Sequence, residues 1–472
     1  MGELLKTFIM PHPPIMIKEI GDGEEEKVKK TINGAYEISK EIADLKPDTI
    51  IIVVPPHGPA FSDAVSINTD EVLEGDLGRF GQPNIKSQYE CDMDITSNII
   101  NNSERNGVPV AEIDKYKTKR YNISNRLDHG SLVPLYFINQ NYNNFKLVHI
   151  TYGFLSKEDL YYFGRLIRKS VEETDKNVVL VASGDLSHRL TTDAPVGYSK
   201  EGKNFDKLIV DYLSKNDSKS IMYMDDDLVE EAGQCGYRSF LIMLGALDGL
   251  NAKGKVLSYE GPFGVGYCTA SYTIEGEKES LIDYYFQNRK KLLENIRKGE
   301  DPYVRLARES LEYYIKHEEF MKVPDGIPNE MNEKRAGVFV SIKKDGNLRG
   351  CIGTIEPVQK SIAEEIIKNA VSAGTEDPRF YQVEDNELDS LIYSVDILGK
   401  PETVYSKEEL NPKDYGVIVR RGSRCGLLLP NLPGIDDPDE QVSIALKKAG
   451  IGEFEDYSIE RFKVVRHGKV RK

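Results

Sequence analysis

The stretch Asp48-Thr-Ile-Ile-Ile-Val-Val-Pro-Pro-His-Gly-Pro59 decides how this chain reads. Residues 50–54 form an unbroken, β-branched apolar run. That pattern predicts a strand buried on both faces, as in a parallel sheet. Pro55, Pro56, Gly58 and Pro59 end the strand at once and stiffen the turn. His57 therefore stands at the carboxyl end of a core strand, the edge where ligands bind in open α/β sheets. A lone loop histidine is more often a solvated surface group, so its neighbours decide what it means.

Upstream, residues 4–10 read as a strand running into Pro11-His12-Pro13-Pro14. Residues 24–45 carry Val28, Ile32, Ala35, Ile38 and Ile42 at helical spacing. Two strands thus end in the same histidine-bearing Pro turn. Downstream, residues 70–89 are polar and Gly-rich and read as a loop or insertion, and residues 92–107 as a helix. Leu127-Asp-His129-Gly-Ser131 opens an apolar helix. Residues 145–152 read as a strand with His149 inside, 155–173 as an amphipathic helix, and 177–182 as a core strand ending in Ser183-Gly-Asp185-Leu-Ser-His188. Helices are expected at 202–213 and 237–245 and strands at 255–259 and 265–274. Cys235 precedes the second of these helices, where the helix dipole favours a thiolate. Strand and helix alternate over residues 1–275, which makes this an α/β domain with a central sheet.

Residues 276–300 are charged and read as a linker helix without a strong core face. Residues 301–472 read as a smaller α+β domain. Its expected helices are 303–320, 361–373 and 438–449. Hairpins are expected at 336–342/348–355 and 415–420/426–429, with further strands at 391–398 and 457–467. Asn347-Leu-Arg349-Gly-Cys351-Ile-Gly353 is its sharpest segment. Arg349 can hold a carboxylate or phosphate bidentately, and Cys351 is a candidate reactive thiol. The plainer reading is a bulge marked by glycine beside an inert cysteine.

A chain of 472 residues exceeds one ordinary core, so two or three domains are expected. A net charge of −15 disfavours nucleic acid as a partner, and basic residues 461–472 read as a solvated tail. No apolar run approaches the roughly 20 residues that span a bilayer. The N-terminus shows no signal-peptide pattern, and Lys6 stands where a myristoylation signal needs Ser or Thr. No membrane partner is expected. Cysteines 91, 235, 268, 351 and 425 are scattered, with no CxxC pair. That excludes a disulfide framework and makes a reducing cytoplasm the expected location.

Four of the seven histidines (12, 57, 129 and 188) sit in Gly- or Pro-bounded turns. Neutral imidazole is the commonest biological metal ligand. Two histidines with one anionic ligand and open positions form the facial arrangement of non-heme Fe(II) enzymes. The remaining histidines can then move protons near neutral pH.

Pro11-His-Pro-Pro14, Pro55-Pro-His-Gly58, Leu127-Asp-His-Gly-Ser131 and Ser183-Gly-Asp-Leu-Ser-His188 resemble, in order and approximate spacing, the class III extradiol dioxygenase (LigB-like) superfamily. Cys235-Gly-Tyr-Arg-Ser-Phe-Leu-Ile-Met-Leu-Gly-Ala246 resembles its Memo branch. The likeness spans residues 4–275. It implies His12 and His57 as metal ligands, His188 as acid/base, His129 on a substrate oxygen and Asp185 orienting within the pocket. The dioxygenases place a glutamate as third ligand where this chain has Cys235, with Glu230 and Glu231 one helical turn earlier. A thiolate is softer than a carboxylate and suits copper or zinc as well as Fe(2+).

Leu348 to Gly353, Ser372-Ala-Gly-Thr-Glu-Asp-Pro-Arg-Phe380 and Gly422-Ser-Arg-Cys-Gly-Leu-Leu-Leu-Pro430 resemble the AMMECR-type domain over residues 301–468. The whole chain looks like a fusion of AmmeMemoRadiSam system proteins B and A. That resemblance implies a separate radical SAM protein as partner, because this chain has no CxxxCxxC motif. Three functions remain open: a metal-dependent, dioxygenase-like oxidoreductase acting on a phenolic or other oxygenated small molecule; a non-catalytic scaffold for the radical SAM partner; and a zinc-type hydrolase.

Overall fold

A computed structural model describes the chain except residues 59, 60, 122, 345, 433 and 469–472. Pro59 of the histidine turn, Asp345 of the expected hairpin turn and the last four residues of the basic tail therefore lie outside the described residues. The chain divides into two compact units, Met1–Tyr285 and Phe286–Lys472.

The first unit is built on an eight-stranded sheet. Its strands are β1 (Glu3–Met10), β2 (Thr49–Val54), β3 (Val65–Asn68), β6 (Val110–Ile113), β7 (Lys146–Thr151), β8 (Asn177–Ser183), β9 (Leu250–Glu260) and β10 (Tyr267–Glu277), in the order β6-β3-β7-β2-β8-β1-β10-β9. The central strands β7, β2, β8 and β1 run parallel. Every residue of β2 is buried, as its β-branched run requires. Met10 is level with Ser183, Val53 with Ala182 and Val54 with Thr151. The turns after β1, β2 and β8 therefore leave the sheet at one edge. Helices Lys29–Leu45, Lys157–Glu172 and Tyr237–Ala246 bury their apolar faces in this unit.

Residues 70–89 correct the expected loop. Val72–Leu77 (β4) and Gln82–Glu90 (β5) form an antiparallel hairpin across the turn Gly78–Phe80. Most of β5 faces solvent, so its side chains lack the apolar alternation that announces a strand. Leu73, Leu77 and Tyr89 fix the hairpin in the same buried cluster as Leu132 and Leu135 of helix His129–Asn139.

At the junction of the units, β10 runs on to Glu277 and a helix covers Leu281–Lys298. Asp248 accepts the Leu281 N–H at 2.8 Å and the Ser280 hydroxyl, which caps that helix. Ile282 is its sole buried residue.

The second unit has two four-stranded antiparallel sheets. The first orders Asn347–Gly353 (β12), Val338–Lys344 (β11), Leu391–Leu398 (β13) and Val464–His467 (β18). The second orders Glu402–Val404 (β14), Ser458–Phe462 (β17), Gly416–Arg421 (β15) and Arg424–Leu428 (β16). Helices Pro302–His317 and Ile362–Thr375 pack on the first, Pro438–Ala449 on the second. The single final strand expected at 457–467 is two strands in different sheets, broken at Lys463, whose carbonyl accepts from Gly399 N. Two described residues of the basic tail are tied into these strands: Arg461 pairs with Glu402 and Arg466 bidentately with Asp396.

Candidate metal centre

The site is assembled at the carboxyl edge of the central sheet. His12 follows β1, His57 follows β2, and Asp185 and His188 follow β8. His129 is the first residue of helix His129–Asn139, whose N-cap is Asp128. Cys235 lies just ahead of helix Tyr237–Ala246 and reaches the edge because Gly184 and Gly236 touch; a Cβ on Gly184 would stand 2.2 Å from the Gly236 Cα.

His12 is the hub. Its Nε2 stands 3.2 Å from His57 Nε2 and 3.7 Å from the Cys235 sulfur. Potential ligand atoms form two groups that share it, His12–His57–His129 and His12–Asp185–Cys235. The sequence-expected trio of His12, His57 and Cys235 thus spans both groups rather than forming one of them. Donors around a tetrahedral ion lie about 3.4–3.6 Å apart, so the 3.2 and 3.7 Å separations have metal-ligand spacing.

The protonation chemistry also fits a cation. Burial, followed by the charges of His57 and His129, holds His12 well below the ordinary imidazole range. Burial brings His129, His149 and His188 down to about 4. These rings are neutral at neutral pH, as ligands must be. Burial raises Asp185 to about 7 against the hydrogen bond from the His12 N–H. It would also raise Asp128, but the hydrogen bond and charge of His57 override it and hold that carboxylate at about 2.

Cys235 corrects an expectation. The helix start does not yield a thiolate: burial and then the nearby Asp185 push the thiol well above its ordinary value. The sulfur accepts the Asp185 N–H at 3.2 Å. A bound cation would reverse this balance, because a coordinating thiol loses its proton.

The alternative third ligands are placed elsewhere. Glu230 and Glu231 are exposed on the helix Asp226–Glu231, and Glu231 pairs with Arg189 at 3.5 Å. His188 belongs to neither ligand group. Its Nε2 is buried without a hydrogen-bond partner among the described residues, and its backbone N–H donates to Ala232 O. A cavity of 330 Å³ opens against His57, His129, His149 and Asp128, with Arg79 and Phe80 of the hairpin turn on its wall. The Phe80 ring lies 5.1 Å from His129.

Asp128, Ser183, His149, Arg79 and Phe80 received no role from the sequence. Asp128 carried a usable sign, an N-cap aspartate beside a candidate histidine. Arg79 and Phe80 carried none, since their hairpin reads as a loop.

In the second unit Arg349 does grip a carboxylate, but one of the chain's own. Its Nε and Nη2 bond Glu387 at 3.1 and 2.8 Å, and it also donates to Tyr381 O and Gln382 O. Arg349 is the extra residue of a bulge between Leu348 and Gly350. A Cβ on Gly350 would stand 2.0 Å from Ala373 O, so glycine lets the helix Ile362–Thr375 lie on the strand. Cys351 takes the Ser341 hydroxyl on its sulfur at 3.2 Å and donates its N–H to Asp377 at 2.9 Å.

Comparison with known proteins covers both units. The family model "Catalytic LigB subunit of aromatic ring-opening dioxygenase" matches residues 6–270, and the AMMECR1 model residues 304–467. The protein CA_C1420 of Clostridium acetobutylicum is 46% identical over 461 residues, 98% of each chain. A Thermotoga maritima protein is 47% identical over 171 residues, 36% of this chain and 98% of its own. Among solved structures, the Pyrococcus horikoshii protein PH0010 is similar at 32% identity and a TM-score of 0.33, over 35% of this chain and 88% of its own. No helix among the described residues is long and apolar enough to cross a membrane.

Proposed function

From the premise that this chain belongs to the family of the catalytic LigB subunit of aromatic ring-opening dioxygenases, continued by an AMMECR1 domain, we propose that it is a metal-dependent, dioxygenase-like oxidoreductase. Its substrate is a phenolic or otherwise oxygenated small molecule and its metal a non-heme Fe(2+). The observation that carries this reading is His12 standing at ligand spacing from both His57 and Cys235, beside a cavity bearing His129.

In this reading His12, His57 and Cys235 hold the ion, which supplies the redox chemistry that dioxygen requires. His129, on the cavity wall, donates a hydrogen bond to a substrate oxygen. His188, neutral at neutral pH, takes the proton that the substrate hydroxyl gives up and returns it to product. Asp185 fixes the turn after β1 through the His12 N–H at 3.0 Å. The hairpin turn with Arg79 and Phe80 closes the cavity wall and limits access of water. The protein works in a reducing cytoplasm beside a separate radical SAM protein.

The cysteine favours a second reading, a zinc-type hydrolase on the same ligands, because thiolate suits zinc. Dioxygen consumption by Fe(2+)-loaded protein with a panel of catechols and phenols separates the two. Uptake above the protein-free rate that disappears in His188→Ala supports the oxidoreductase. Hydrolysis of an activated ester by the Zn(2+) form under strict anaerobiosis, with no dioxygen uptake by the iron form, supports the hydrolase.

A further inference from the structure

Each residue of Asp128-His-Gly-Ser131 meets the histidine cluster in a different way. Asp128 Oδ2 stands 2.9 Å from His57 Nδ1, while its Oδ1 accepts the Gly130 N–H at 2.9 Å. His129 itself enters the cavity. Gly130 has room for no side chain, since a Cβ would lie 2.7 Å from His57 Cε1. Its carbonyl accepts the Ser183 hydroxyl at 2.5 Å, and that oxygen stands 2.9 Å from His12 Nδ1. Ser131 Oγ meets His149 Nε2 at 2.8 Å.

These contacts settle where protons sit. An ionised carboxylate only accepts, so His57 Nδ1 must carry a hydrogen to bond Asp128. The hydroxyl of Ser183 has a single proton and spends it on Gly130 O. Toward His12 it can only accept, so His12 Nδ1 also carries its hydrogen. The two Nε2 atoms face each other 3.2 Å apart, where a cation held between them would take a lone pair from each ring. His129 and His188 differ: neither ring has a hydrogen-bond partner among the described residues, so nothing sets which of its nitrogens holds the proton.

We propose that Asp128-His-Gly-Ser131, acting with Ser183, is a tautomer clamp that divides the histidines by task. It locks His12 and His57 as Nδ1–H tautomers with both Nε2 atoms aimed at the metal, and leaves His129 and His188 free to exchange protons. Asp128 and Ser183 are positioning residues: they act through His57 and His12, and outer-shell partners of this kind hold rings in their ligating orientation. The inference rests on the metal-site reading above.

The test is histidine-selective ¹⁵N NMR on the metal-free full chain, where seven histidines keep the spectrum assignable. His12 and His57 should appear as Nδ1–H tautomers, and His129 and His188 as averaged mixtures. Asp128→Asn, whose amide can donate to Nδ1, should release His57 alone; Ser183→Ala should release His12 alone. Each variant should also weaken Zn(2+) binding, read by competition with a chromophoric chelator, by about 10- to 100-fold. Nε2–H tautomers at His12 or His57 in the wild type would overturn the clamp, even if both variants failed to fold. So would variants that leave both spectrum and affinity unchanged. Nδ1–H tautomers in a wild type that takes up no Zn(2+) would uphold the proton placement and overturn the metal-site reading alone.

Discussion

The carboxyl edge of the first sheet and the β11–β12 hairpin of the second unit look alike as sequence. Both set reactive side chains in glycine- or proline-marked segments next to apolar strands. They differ in what those side chains have left to give. At the first edge His129 and His188 have no hydrogen-bond partner among the described residues, and His12 and His57 point nitrogens at each other. In the hairpin Arg349 spends its fork on Glu387 and two carbonyls, and Asp377 binds both Cys351 N–H and Arg379. Unspent donors beside a cavity indicate a functional site, whereas fully satisfied ones indicate a structural tie.

The largest effect that could break this comparison lies at the histidines. His57→Ala should lower divalent-metal affinity by at least about 100-fold, measured by chelator competition, while the midpoint of chemical denaturation of the metal-free protein moves little. A large stability loss with metal binding intact would make the cluster structural and erase the contrast. The mirror experiment is Arg349→Ala. It takes from half-buried Glu387 its bidentate partner while Lys344 remains, and should cost the second unit about 1–3 kcal/mol in denaturant unfolding with metal content unchanged.

Gly350→Ala should cost about 1–3 kcal/mol, because the new methyl meets Ala373 O and the helix must move. Acid sharpens the contrast further. Burial would raise Glu387, but its bonds from Arg349 and Lys344 hold it at about 2, below its ordinary value of 4.5. A depressed carboxylate stabilises fully above its unfolded value and stops doing so as pH falls through the folded one. Stability of the second unit should therefore decline between about pH 4.5 and pH 2, and Glu387→Gln should flatten that part of the curve. The smallest effect is expected of Cys351→Ser, below about 1 kcal/mol and without change in metal content.

Much of this was legible before the structure. The β-branched run before His57 announces a central strand, and the repeated Pro turns announce a shared edge; register then brings Met10, Val54 and Ser183 level. The hairpin Val72–Glu90 was hidden because its outer strand faces water. The break at Lys463 was hidden because strand propensity does not reveal which sheet a strand joins. The thiol of Cys235 was misjudged because helix-end electrostatics were weighed without burial and the adjacent Asp185. Asp128 and Ser183 stood within quoted motifs, yet their bonds to His57 and His12 join segments far apart in the chain, which no local pattern displays.

Metal content of protein purified without dioxygen, measured by mass spectrometry on wild type beside His12→Ala, tests the central claim most directly. The account predicts near-stoichiometric iron in the wild type and its loss in the variant, since His12 is shared by both ligand groups. Equal metal in the two proteins, or none in either, would contradict it.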